Sequence, residues 1–68
     1  MRKYAIDLLS TDSILDHRSG RIINIIWLKP NKELNYIDVF AYFEDTGEPW
    51  EVRLDYDAEV RLIGPRLG

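Results

Sequence analysis

The sequence predicts an all-β fold: a small curled sheet or partly open barrel of four to five antiparallel strands. Three observations carry that expectation. Across residues 50–62 every even position is apolar (Trp50, Val52, Leu54, Tyr56, Ala58, Val60, Leu62) and every odd position is charged (Glu51, Arg53, Asp55, Asp57, Glu59, Arg61). Side chains on a strand alternate between faces, so this pattern sets one face on a core and the other in water, whereas a helix would scatter the apolar set around its axis. Residues 36–44 alternate in the same way, with Ile37, Val39, Ala41 and Phe43 on one face. Short links rich in Gly, Pro, Asn and Asp separate these runs, as hairpins require.

Taken in order, residues 4–8 read as a first strand. Residues 10–20 read as an irregular loop, the alternative being one helical turn through Ile14 and Leu15 capped by Asp12 or Ser13. Residues 22–28 are β-branched and apolar on both faces, which suits a central strand or one covered on both sides. Residues 29–35 supply a turn into the strand at 36–44, and residues 45–49, with Gly47 and Pro49, supply a hairpin link to Trp50. A run of thirteen residues from 50 to 62 exceeds an ordinary strand. Asp is poor in strands and good in turns, so a kink near residues 55–58 divides the run into two. A meander this small must curl to cover its own apolar face. By analogy of architecture the packing is Src-homology-3-like or oligonucleotide-binding-like, and with no repeat or linker to divide it the chain reads as one domain, residues 1–68.

Sixty-eight residues support one thin core, and with no cysteine and a single histidine neither disulfides nor the usual zinc sites reinforce it. Small domains in this position gain stability by self-association, so a homodimer is expected. The apolar stretch after Met1, Arg2 and Lys3 is broken by Asp7, and the run at 22–28 is too short to span a bilayer, so a cytoplasmic protein without a membrane segment is expected. Charge is divided unevenly. Residues 1–32 hold six basic and three acidic side chains, and residues 33–68 hold three basic and nine acidic. All nine of those acids fall between Glu33 and Glu59, where Arg53 is the only cation.

Few residues offer chemistry. Asp16, His17 and Arg18 contain a carboxylate beside a base, but adjacent loop residues rarely converge with a nucleophile, and Ser10, Ser13 and Ser19 suit turns. Asp55, Asp57 and Glu59 offer oxygen ligands without the glycine bend of a calcium loop, so no metal or other cofactor is expected. Gly20, Gly47, Gly64 and Gly68 form no phosphate-binding motif. An enzyme is therefore not expected.

What remains is an aromatic face. Tyr36, Phe40 and Tyr42 share one side of a strand with Asp38 and Glu44, and Trp27 lies within reach of them. These rings suit a second core face covered by residues 4–15, or a contact surface rimmed by acids, since interface cores are rich in aromatics and acidic rims steer basic partners. The expected function is a non-catalytic protein-interaction module or small regulatory subunit. Its protein-binding residues are Tyr36, Asp38, Phe40, Tyr42, Glu44, Asp55, Asp57 and Glu59, and the partner is another protein or a second copy. The alternative is a nucleic-acid-binding small β-barrel using Trp27, Phe40, Tyr42 and the basic N-terminal half. The acids of residues 33–59 oppose that alternative, because phosphate neutralisation dominates such binding.

Overall fold

The computed structural model describes residues 2–65; Met1 and Gly68, both considered above, lie outside the described residues. Six strands follow in order: β1 (Arg2–Tyr4), β2 (Asp12–Leu15), β3 (Ile22–Asn31), β4 (Tyr36–Phe43), β5 (Pro49–Asp55) and β6 (Glu59–Pro65). A 3-10 turn, Ala5–Asp7, follows β1. The strands form one antiparallel sheet in the order β1-β6-β2-β3-β4-β5, which is not closed into a barrel. The chain is all-β as its alternation predicts, with six strands in place of four to five.

Two of the three consecutive hairpins share one construction. The Asp16 N–H donates to the Arg21 carbonyl at 2.9 Å and the Gly20 N–H donates back to the Asp16 carbonyl at 2.8 Å. Phe43, Glu48 and Gly47 repeat those bonds at 2.9 and 2.7 Å. In each, the residue before the one that closes the turn has positive φ, 71° at Gly20 and 75° at Gly47, a conformation glycine adopts without steric cost. Between Asn31 and Tyr36 the corresponding residue is Asn35, at φ 56°, and asparagine is among the few side chains that tolerate it.

The core consists of Ala5, Leu8, Ile14, Ile23, Ile25, Ile37, Val39, Ala41 and Leu62. The odd face of β4 therefore points inward, as its alternation requires. Among the even positions of 50–62, Leu62 is buried, while Trp50, Val52, Leu54, Tyr56, Ala58 and Val60 are half-buried and pack against the core. The kink falls where expected, with the Ala58 N–H donating to the Asp55 carbonyl at 3.0 Å.

Four local expectations are corrected. The first strand ends at Tyr4, and residues 5–8 turn inward to bury Ala5 and Leu8. Residues 12–15 are neither loop nor helix but strand β2, because their polar groups find distant partners. Asp12 accepts from the Leu9 N–H at 2.9 Å and from Lys3 Nζ at 3.1 Å, and the Ser13 hydroxyl donates to Asn24 Oδ1 at 2.6 Å. Strand β3 runs on through Lys29, Pro30 and Asn31, leaving only residues 32–35 as the turn. Pro30 is tolerated because β2 pairs only with Ile22, Ile23 and Asn24, so beside Pro30 there is no strand to need its missing N–H. Finally, residues 4–15 do not cover the aromatic face of β4. Ala5 and Leu8 join the opposite, inward face, and the Ala5 and Ile6 N–H groups donate to the carbonyls of Ala58 (2.8 Å) and Tyr56 (3.3 Å).

Candidate protein-binding face

A bulge at Ile26 sets the outer surface of the sheet. Ile25 pairs with Ala41 and Trp27 with Phe40, so the intervening residue is displaced and strand phase shifts by one. Ile23, Ile25 and Leu28 consequently face the core, while Trp27 joins the even residues of β4 outside. The Trp27 and Phe40 rings stack with centroids 5.4 Å apart and an interplanar angle of 14°. Trp27 remains 44% exposed and Ile26 46% exposed, both large apolar groups meeting water.

Beside this pair, Arg53 of β5 lies opposite Asp38 of β4. Its Nε donates to Asp38 Oδ1 at 2.9 Å, and its guanidinium carbon sits 3.9 Å from the centroid of the Tyr36 ring. The Tyr36 hydroxyl in turn accepts from Asn31 Nδ2 at 3.1 Å. Trp27, Asp38, Glu51 and Arg53 border a shallow hollow on this face. The surface is thus an aromatic strip held rigid by cross-strand stacking and one cation–π contact, with carboxylates along its β5 side.

Of the candidate binding residues, the structure brings together Tyr36, Asp38, Phe40 and Tyr42 on the outer face of β4, with Asp55 paired in register to Tyr36. Glu44 follows the strand end, its N–H bonded to the Ile22 carbonyl at 2.9 Å. Asp57 and Glu59 are separated from the strip by the kink. They border a different hollow with Tyr4, Ile6 and Tyr56, and Glu59 lies 3.6 Å from Arg2. Arg53 and Glu51 belong to the face and were not anticipated, although the alternation of 50–62 already put both on its outward side.

The remaining charged clusters serve the hairpins. Arg21 forks onto Asp45, with Nη2 at 2.9 Å, and lies 3.8 Å from the centroid of the Phe43 ring, tying two hairpins together. The Asp16 carboxylate accepts from the Arg18 N–H (3.1 Å) and the Ser19 hydroxyl (2.9 Å), and those bonds hold its pKa below the ordinary 3.8. Its oxygens are thereby engaged within the turn, and His17 beside it is exposed. Among the described residues no three His, Asp or Glu side chains converge as a metal site, and no helix is long and apolar enough to cross a membrane.

Beside Asp16, two arginine-paired carboxylates give the fold a pH dependence. Hydrogen bonding from Arg53 holds Asp38 below 3.8, and hydrogen bonding from Arg21 holds Asp45 below it. A carboxyl whose folded pKa lies below its unfolded one stabilises the fold above the unfolded value, and that contribution disappears as pH falls through the folded value. Both pairs meet solvent, so the effect is small. Melting temperatures titrated downward should fall below about pH 4, and less steeply in a D38N/D45N variant. Equal acid slopes for the two proteins would contradict the assignment.

No protein-family model, curated protein or solved structure matches the chain significantly, and the functional reading rests on this geometry.

Proposed function

We propose that the protein is a non-catalytic interaction module that binds a protein partner through the outer face of β3, β4 and β5. We read the curled sheet as a small partly open barrel of Src-homology-3-like or oligonucleotide-binding-like architecture, a reading supported by the Ala5 and Ile6 bonds to the β5–β6 turn. The observation that carries the function is the stacked Trp27–Phe40 pair on the outer sheet face, Trp27 exposed and Phe40 half-buried, bordered by Asp38, Glu51 and Arg53. Ordered aromatic side chains lose little conformational freedom on binding, and interface cores favour them. The carboxylates of Glu44, Glu51 and Asp55 suit a partner with basic groups around an apolar centre, while Asp38 is held by Arg53.

The alternative, a nucleic-acid-binding barrel, would use the same rings for base stacking. Its weakness is electrostatic. Of the N-terminal cations, Arg2, Lys3 and Arg21 are each committed to a carboxylate, and the strip itself is bordered by acids. Anisotropy titration with single-stranded DNA and RNA at physiological salt should show no micromolar binding.

The proposal is tested by comparing wild type and F40D as baits in the native host's lysate after nuclease treatment. The wild type should retain a protein that F40D loses, while the two baits melt alike within a few degrees because Phe40 lies outside the core. Retention of the same proteins by both, or release of everything by nuclease, would overturn it.

A further inference from the structure

The free edge of β5 has a chemistry of its own. Among the described residues β5 pairs with β4 alone, and its backbone groups divide cleanly between the two sides. The Phe43 N–H donates to the Glu48 carbonyl and the Tyr56 N–H donates to the Asn35 carbonyl, which fixes the alternation. Odd residues of β4 exchange ladder bonds with even residues of β5, namely Trp50, Val52 and Leu54. The N–H and C=O groups of Glu51 and Arg53 and the N–H of Asp55 therefore point away from β4, the Asp55 carbonyl being taken by the Ala58 N–H, and Pro49, at the end of that row, has no N–H to leave unpaired.

We propose that this edge binds a second copy of the chain, the two β5 strands pairing antiparallel about a two-fold axis at Val52. In that register Glu51 lies opposite Arg53 of the second copy, and the same pair recurs across the axis. These two pairs are the hydrogen-bonded ones, each exchanging two backbone bonds, and the Asp55 N–H meets the Pro49 carbonyl at either end. On the inward face Trp50 lies opposite Leu54, and Val52 meets itself. The neighbouring symmetric registers are disfavoured by charge. An axis at Glu51 opposes glutamate to glutamate, and an axis at Arg53 opposes arginine to arginine and Glu51 to Asp55. A register shifted by a single residue would turn the apolar row of one copy against the charged row of the other.

Two further features fit the second copy. Ile37, Val39 and Ala41 are buried, yet their partners Leu54, Val52 and Trp50 are only half-buried, and among the described residues no strand lies on the far side of β5. Arg53 commits Nε and Nη2 to Asp38, which leaves Nη1 for Glu51 of the second copy and continues an outer row of alternating charge: Lys29, Asp38, Arg53, Glu51. The other sheet edge, β1, is three residues long and carries Arg2 and Lys3, which would repel their own copies. The pairing stands independently of the proposed function, and it would set both Trp27–Phe40 strips on the same side of one continuous sheet.

Light scattering and sedimentation across micromolar to millimolar concentrations test this with paired charge reversals. Wild type should dimerise reversibly. E51R places arginine opposite arginine twice, and R53E places glutamate opposite glutamate twice, so each should dissociate at roughly tenfold higher concentration or more. An equimolar mixture of E51R and R53E should recover the dimer, since every opposed pair again has opposite signs. E51P removes a free-edge N–H without touching the β4 ladder, and should be monomeric while keeping the wild-type circular dichroism spectrum. A wild type monomeric throughout the range, or a dimer indifferent to E51R and E51P, overturns the proposal. So does a dimer lost in F40D but not in E51P, which would place the contact on the aromatic face.

Discussion

Replacing Ile25 with alanine is expected to remove about 2–5 kcal/mol of stability, the range for emptying a fully buried aliphatic site. Ile25 is fully buried on β3, in register with the equally buried Ala41. A domain of this length has roughly 3–10 kcal/mol to lose, so much of the variant should be unfolded at room temperature. Ile23→Ala and Val39→Ala belong to the same group, since both residues are all but inaccessible. Val52→Ala and Leu54→Ala should cost distinctly less, because their side chains are half-buried. The alternation of residues 50–62 alone ranks those positions among the most sensitive, and the structure transfers that rank to β3 and β4. Urea titrations of the five variants decide it: a Val52 or Leu54 variant less stable than the Ile25 variant would contradict the assignment of the core.

The second large effect lies in the buried polar pair that fastens β2 to β3. Ser13 and Asn24 are both nearly inaccessible, and the hydroxyl of one donates to the amide oxygen of the other at 2.6 Å. Ser13→Ala deprives a buried acceptor of its donor, which costs about 1–3 kcal/mol. Asn24→Leu strands the hydroxyl in the same way. Replacing both with apolar groups removes the unsatisfied partner along with the bond, so the double variant should lose less than the two single losses combined. Denaturant melts of the four proteins should give a coupling of about 1 kcal/mol or more. Strict additivity would show that the bond does not hold β2 in place.

These two groups of residues also mark what the chain reveals of itself. Alternation and turn composition are local properties: the first correctly assigned the inward face of β4 and the outward charges of β5 and β6, the second the kink at residues 55–58 and the link through Gly47. Strand β2 escaped because Asp12 and Ser13 look like turn residues until Lys3 and Asn24 are known to lie beside them. Pro30 marks a strand end only where both neighbouring strands are present, and β2 is too short to reach it. The bulge at Ile26 left no local trace, yet it decides that Trp27 faces outward to stack on Phe40. The candidate site was legible as a strip of aromatics on β4. Its separation from Asp57 and Glu59 follows from the kink, and its completion by Arg53 from the register of β5 on β4, which sets Arg53 opposite Asp38 and which alternation alone does not give.

The claim that the outer aromatic strip meets a protein is tested most directly by a photoreactive group within it. Benzoylphenylalanine in place of Phe40, produced in the native host and irradiated before lysis, samples whatever touches the stacked pair. Arg18, exposed in the first hairpin, supplies the control position. A discrete protein adduct from position 40 and none from position 18 is the predicted result. Adducts to nucleic acid at position 40, or no adduct beyond that of the control, would contradict the account.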